Sequence, residues 1–426
     1  MNTYLNLTKE ELLKLKNKVD KKYEKYKTQN LKLNMSRGKP CSEQLDLSEA
    51  LYKNTKTFIS ESGIDCRNYG FLRGLPEVRE LFAELIGINI EEIIIGNNSS
   101  LNMMHDTISR IFSHGTSESD TPWGKEKIVK FLCPSPGYDR HFKICEHFNI
   151  EMIAIPLNEN GPDMDIIEDL VKKDDSIKGI WCVPKYSNPT GIIYSDEIVT
   201  RLSSMKTAAN DFRIFWDNAY IVHHLTNRKL ELKNILRSCE AQGYPDRVYM
   251  FGSTSKITYA GSGISFFASS TKNIDYMTDL MSKQTIGSNK INQLLHYRFL
   301  GSVEEILNHM EKHADILRPK FELVLDVLNK ELAAKGIANW SKPEGGYFIS
   351  LNVMKGCARE VVQLAKDVGV TLTDAGATYP YGNDPEDSNI RIAPSYPPLV
   401  DLEKAIKVVC TCIKKAAIEK VLKKMQ

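Results

Sequence analysis

A single lysine, Lys256, closes a stretch that reads Tyr-Met-Phe-Gly-Ser-Thr-Ser-Lys from Tyr249. The apolar run 248–251 has the composition of a buried strand, and Gly252 stops it before the hydroxyl residues Ser253, Thr254 and Ser255. Walled by that run on one side and Ala260-Gly261-Ser262-Gly263 on the other, an amine loses solvent and its pKa falls. It then becomes a nucleophile able to form a Schiff base with a carbonyl, with Ser253 and Ser255 as hydroxyl donors for a phosphate nearby. A solvated surface charge is the competing reading of any lone lysine. Other candidates end similar apolar runs. Arg213-Ile214-Phe215-Trp216 ends on the carboxylate of Asp217. Asn97-Asn98-Ser99-Ser100 follows an isoleucine-rich run and opens a helical stretch, whose free amides and dipole could hold an anion, or which Ser99 could simply cap. The loop Pro134 to Asp139 delivers the ring of Tyr138 where flat ligands stack. In Arg37-Gly38-Lys39-Pro40 the glycine admits a ligand close to the backbone, although a plain turn explains it equally well.

The elements that must position these groups follow from periodicity. Short apolar strands alternate with helices from about residue 90 to 270, which predicts a mostly parallel sheet covered on both faces. Each polar cluster in that span sits at a strand's carboxyl end, where open α/β sheets bind ligands. Thr8 and Glu11 form a capping box ahead of an amphipathic helix to Gln29, lying on the body. A strand at 152–155 is expected to stop at Pro156. A long helix is expected over about 304–335, and a smaller α+β unit with a last helix over 402–424 follows it. The expected organisation is an N-terminal helix and closing segment over 1–50 packing with the small domain, a large domain over 51–305, and a small α+β domain over 306–426.

Length and composition narrow the function. The 426 residues suffice for a large core and more than one structural unit. Lys plus Arg number 56 against 54 Asp plus Glu, so charge points to neither nucleic acid nor a membrane surface. The nine cysteines are scattered without a Cys-x-x-Cys pair and read as buried thiols of a reducing cytosol. No apolar run approaches the ~20 residues of a membrane span, and the N-terminus has no export signal, so a cytoplasmic protein is expected. Ser255 before Lys256 breaks a P-loop, and Gly261-Ser262-Gly263 lacks the third glycine of a dinucleotide fingerprint. His309 and His313 share a helix face, yet no Glu follows His309 and no third ligand is near, so no metal site is read there. The His223-His224 doublet reads as structural.

With Ser253-Thr254-Ser255-Lys256, Asn188-Pro189-Thr190-Gly191, Asp217-x-x-Tyr220 and Arg391 in view, the chain resembles the class I/II aminotransferases, pyridoxal-phosphate enzymes of fold type I, and among them a divergent aspartate-aminotransferase branch. The resemblance runs from about Met35 to Pro397. It implies an α/β fold with a large, mostly parallel sheet and a smaller domain, pyridoxal 5'-phosphate as cofactor, amino acid and 2-oxo acid substrates, and a homodimer with shared sites. It gives Lys256 the Schiff base and the proton shuttle, and pairs Asp217 with the pyridine nitrogen. Tyr220 and Asn188 would hold the phenolic oxygen, and Tyr138 would stack on the ring. Ser99, Ser100, Ser253 and Ser255 would hold the phosphate, with Tyr69 reaching it from a neighbouring subunit. Arg391 would fork onto the substrate α-carboxylate, and Gly38 would close the opposite side.

The expected reaction moves an amino group between a dicarboxylic amino acid, aspartate first, and 2-oxoglutarate, with Arg37 receiving the distal carboxylate. A lyase acting at the β-carbon and a non-catalytic cofactor-binding module of a regulator are the alternatives, the latter disfavoured because too few residues precede Met35 for a winged-helix domain. One departure stands out. Where this class carries an arginine for the phosphate in a Gly-x-Arg-x-Gly pattern, the chain has Gly263. A buried phosphate without a cation is costly, so Lys290, of this chain or of a neighbouring one, is expected to compensate, in preference to Lys283.

Overall fold

The structure, a computed structural model, describes residues 3–53, 57–228 and 230–426. Met1 and Asn2, the first residues of the segment read as lacking an export signal, lie outside them. The chain begins with α1 (Lys9–Lys27), β1 (Leu33–Asn34), α2 (Ser42–Asp46) and α3 (Pro76–Ile86). Then come β2 (Ile93–Ile95), α4 (Ser100–His114), β3 (Lys130–Ser135), α5 (Asp139–His147), β4 (Glu151–Asn158), β5 (Gly161–Pro162), α6 (Met164–Lys173), β6 (Ile177–Cys182) and α7 (Asp196–Ser204). The large part ends with β7 (Arg213–Asp217), α8 (Ile235–Ala241), β8 (Val248–Ser253), β9 (Ser265–Ala268), α9 (Thr271–Ser282) and α10 (Lys290–Leu300). The rest is α11 (Val303–Leu332), β10 (Ala338–Trp340), β11 (Ile349–Val353), α12 (Ala358–Asp367), β12 (Val370–Thr371), β13 (Asn389–Ile392) and α13 (Leu399–Lys424).

Among the described residues, eight strands form one sheet in the order β2-β9-β8-β7-β6-β3-β4-β5. Strands β4, β3, β6, β7 and β8 run parallel, while β9 is antiparallel to both β8 and β2. Helices cover both faces: one core collects side chains from α3, α6, α7, α8 and α10, and the opposite one from α4, α5 and α9. The expected sheet is therefore present, with one correction. Pro156 does not stop β4, because beside the two-residue edge strand β5 its missing N–H forfeits little of the ladder.

A second body gathers β10, β11 and β13 into an antiparallel sheet, with α12, α13 and the later turns of α11 around it. The N-terminal segment joins it. The Thr8 capping box forms as read, with the Thr8 N–H donating to Glu11 at 2.8 Å, and α1 packs on α13. Strand β1 pairs with β12 at Leu33 and Val370. Helix α11 serves both bodies: Ile306 and Met310 enter the large core, Leu317 to Leu332 the small one. All nine cysteines are buried and free. No helix among the described residues is long and apolar enough to cross a membrane.

Candidate active site

A cavity of about 590 Å³ opens where the carboxyl ends of β6, β7 and β8 face β13 and the N-terminal segment. Its wall brings together Lys256, Asp217, Tyr220, Asn188, Tyr138, Ser100, Arg391, Arg37 and Gly38, residues spread over most of the chain. A larger cleft of about 870 Å³ lies between β4 and the small sheet, but its two charged groups, Lys355 and Glu386, pair with each other.

Lys256 sits in a helical turn just past β8, opened by Thr254, whose carbonyl accepts from Ile257 and Thr258 at 2.9 and 2.8 Å. Its amine lies 5.0 Å from the centre of the Tyr220 ring. Burial pushes the amine below its ordinary pKa, and the nearby Asp217 carboxylate opposes part of that shift. Burial also drives the Tyr220 phenol well above its ordinary range. Asp217, the last residue of β7, accepts from His141 Nε2 at 3.0 Å through Oδ2. Its other oxygen, Oδ1, is buried without a hydrogen-bond partner. A lone carboxylate oxygen left so is costly, and a ring N–H is the group that would relieve it. The pyridoxal phosphate implied by the resemblance therefore fits here. His141 is a site residue the sequence reading missed; its ring stacks on Trp181 at 4.3 Å. The available signal was its position in the first turn of α5, three residues after Tyr138, the residue that precedes that helix.

Arg391 comes from β13. Its Nη1 donates to Asp139 at 2.7 Å and to Asn188 at 3.3 Å, while Nε is buried without a partner and Nη2 has only Thr373 at 3.4 Å. The Nε–Nη2 edge is thus the open fork for a planar carboxylate. Gly38 owes its identity to packing: a Cβ there would stand 2.3 Å from the Phe348 ring, which also lies 4.9 Å from the Arg391 guanidinium carbon. The Arg37 side chain forms no ion pair or hydrogen bond among the described residues, while its carbonyl accepts from the Lys39 N–H at 3.0 Å. The same wall holds another cation missed in the sequence, Arg140, 3.9 Å from Asp139.

The serines divide. Ser99 accepts from the Asn102 N–H as the cap of α4, and Ser100 lines the cavity. Ser253 donates to Ser255 at 3.0 Å, and Ser255 turns to the Asn98 carbonyl at 3.4 Å. Gly263 is crowded, since a Cβ would meet Thr254 at 3.0 Å and the Asn98 carbonyl at 3.1 Å. An arginine in its place would have to move this wall.

Within this chain Lys290 does not reach the cavity as a compensating cation. Asn289 caps α10, and Lys290, 5% exposed, donates to the carbonyls of Asn68 at 2.6 Å and Gly70 at 3.0 Å. Its charge is committed to the two carbonyls that bracket Tyr69, a ring that lies outside this chain's cavity and is 81% exposed. Lys283 pairs with Asp279 on the surface. Lys290→Met is therefore expected to cost about 2–3 kcal/mol in denaturant unfolding, because a buried ammonium that serves two part-buried carbonyls is lost, whereas Lys283→Met should cost under about 0.5 kcal/mol. Equal midpoints for the two variants would refute this assignment.

A family model described as "Aspartate amino-transferase" matches residues 7–425. The chain is 48% identical over 403 residues to an aspartate aminotransferase of Corynebacterium glutamicum, covering 94% of this chain and 93% of that one. A crystal structure of an aspartate transaminase from that organism superposes with a TM-score of 0.96 at 46% identity, covering 98% of this chain and 99% of that one. An α-aminoadipate aminotransferase of Thermus thermophilus shares the fold at a TM-score of 0.72 and 19% identity.

Proposed function

The chain belongs to the aspartate aminotransferase family, and on that premise we propose that it is a pyridoxal-phosphate-dependent aminotransferase exchanging an amino group between a dicarboxylic amino acid, aspartate first, and a 2-oxo acid such as 2-oxoglutarate. The observation that carries the reading is the meeting, in one cavity, of a lysine with a lowered pKa, a carboxylate with one unpartnered oxygen and an arginine with an open edge. When bound, the cofactor supplies an electron-accepting ring that acidifies the substrate Cα–H. Lys256 would hold it through its side-chain amine. Its amine, with a pKa lowered by burial, would be suited to take up the proton lost from the substrate Cα and to return one. Asp217 Oδ1 would accept a ring N–H, with His141 holding Oδ2 in register. Tyr220 and Asn188 orient the phenolic oxygen, and Tyr138 covers one ring face. Ser99 and Ser100, at the N-terminus of α4, and Ser253 and Ser255, at the end of β8, would hold the phosphate. Arg391 takes the α-carboxylate on Nε and Nη2, and Gly38 closes the opposite wall.

The same reading makes the protein a homodimer in which Tyr69 completes the site of a second copy. Its support is the solvent-facing apolar surface of Tyr69, Phe71 and Ile286. Nine buried free thiols support a cytoplasmic setting. The test of the reaction is a panel of amino acids, each incubated alone and then with 2-oxoglutarate, followed in the visible spectrum. A transaminase converts once and stops until the oxo acid is added; continuous turnover without an acceptor would identify a lyase.

Arg37, unpaired at the cavity wall, is assigned to the distal carboxylate. Arg37→Leu should lower kcat/KM for aspartate by roughly 30-fold, the effect of about 2 kcal/mol for a lost charge-assisted hydrogen bond, and leave alanine nearly unchanged. An equal loss for both substrates would refute the role, and Arg140→Leu run in parallel shows whether that second cation of the wall takes it instead.

A further inference from the structure

The histidines of α11, set aside as a metal pair, belong to a buried chain of hydrogen bonds running from the N-terminal cavity wall to the lysine turn. Cys41 donates its N–H to Gln44 Oε1 at 3.2 Å. Gln44, 0% exposed, turns its amide nitrogen to the Tyr347 hydroxyl at 2.9 Å and to His313 Nδ1 at 3.0 Å. His313 Nε2 meets His309 Nε2 at 3.1 Å, and His309 Nε2 meets the Ile257 carbonyl at 2.8 Å. Cys41 follows Arg37 and Gly38 of the cavity wall; Ile257 follows Lys256. Tyr347 stacks on Tyr220 at 6.0 Å.

The donors and acceptors of this chain cannot all be satisfied at once. With Cys41 on Gln44 Oε1, the Gln44 amide donates to His313 Nδ1, so the single His313 proton sits on Nε2 and points at His309. His309 Nε2 must then accept, and it cannot donate to Ile257. Reversing the Gln44 amide gives up the Cys41 bond. His313 then donates from Nδ1 to Gln44, and His309 donates from Nε2 to Ile257. Both arrangements hold the same two imidazole protons. An extra proton does not resolve the conflict, because burial pushes His313 down to about 3 and lowers His309 as well.

We propose that Gln44, His313 and His309 are positioning residues: a two-state relay in which the seating of the Arg37–Cys41 segment decides which of the two imidazoles, His309 or His313, holds the main chain beside Lys256 at Ile257. The proposal rests on the aminotransferase reading for its functional meaning, not for its geometry. A bistable element of this kind couples two places only if a change at one end is felt at the other.

Hydrogen exchange on the cofactor-loaded protein tests that directly. His309→Leu should speed amide exchange about fivefold or more in residues 36–41, at the far end of the relay, and Gln44→Met should do the same in 255–259. His296→Leu is the control. His296 bonds Thr258 Oγ1 at 2.9 Å on the same turn but lies off the relay, so its loss should be felt in 255–259 and not in 36–41. Gln44→Glu, which accepts from both Cys41 and His313, should slow exchange at 255–259, and it carries the test if the methionine variant fails to fold. His309→Gln does so for the leucine variant. Aspartate kinetics on the same samples give a second readout, with Gln44→Met expected to raise KM about tenfold with kcat within about threefold. Exchange confined to the neighbourhood of each substitution would overturn the relay. A wild type unable to transaminate would overturn the functional reading alone, since the exchange coupling is scored without turnover.

Discussion

Lys256→Ala is expected to abolish transamination, by on the order of 10⁴-fold or more in kcat, because one side chain supplies both the covalent hold and the base. Borohydride reduction of the wild-type protein should fix the cofactor on Lys256, and mass spectrometry of the alanine variant should find none fixed. The competitor is Lys185, whose buried amine is lowered to about 8 and donates to the Ile221 carbonyl at 2.8 Å. It lines a separate pocket of about 360 Å³ away from Asp217 and Arg391, so Lys185→Met should keep the trapping. Cofactor trapped on another lysine in Lys256→Ala would remove the basis of the assignment. The substitution should not unfold the protein. A desolvated amine with a folded-state pKa below its ordinary 10.5 binds fewer protons folded than unfolded, so apo wild-type stability rises as pH climbs from that folded pKa to 10.5. The alanine variant should lack this rise, which denaturant unfolding across that window will show.

Asp217→Asn should lower kcat by roughly 10³-fold with a much smaller change in cofactor affinity. The substitution keeps the size of the side chain but removes the charge that holds a ring proton through the reaction, and electrostatic terms of this kind in a dry site are worth about 10²–10³-fold or more. His141→Phe acts only through Asp217 and should cost far less, about tenfold, since Oδ2 then loses its donor at 3.0 Å while Oδ1 remains. Rates for Asp217→Asn within tenfold of the wild type would mean that the unpartnered oxygen is not the one that matters.

The amino-acid sequence by itself determined the places where chemistry could happen. Lys256, Asp217 and Ser100 stand at the ends of apolar runs or at the start of a helix, and alternation, turn residues and capping are written within a few positions of one another, because they are set by local φ/ψ and side-chain direction. The Thr8 capping box and the parallel sheet were legible for that reason. What the residues do to one another was decided by tertiary structure. That Asp217 keeps one oxygen free, and that Arg391 keeps one edge open beside Asp139, depends on partners as many as 252 positions away in the chain. Gly38 reads locally as a turn, yet the Phe348 ring is what leaves it no side chain. Lys290 reads as a spare cation, yet two carbonyls of the Tyr69 loop consume its charge. The His309–His313 pair reads only as two histidines on one helix face, yet burial lowers both pKa values and gives the rings a glutamine and a carbonyl to serve. Burial, charge pairing and hydrogen-bond satisfaction are properties of a closed chain, and they exist only once residues distant in sequence have been brought into one low-dielectric interior.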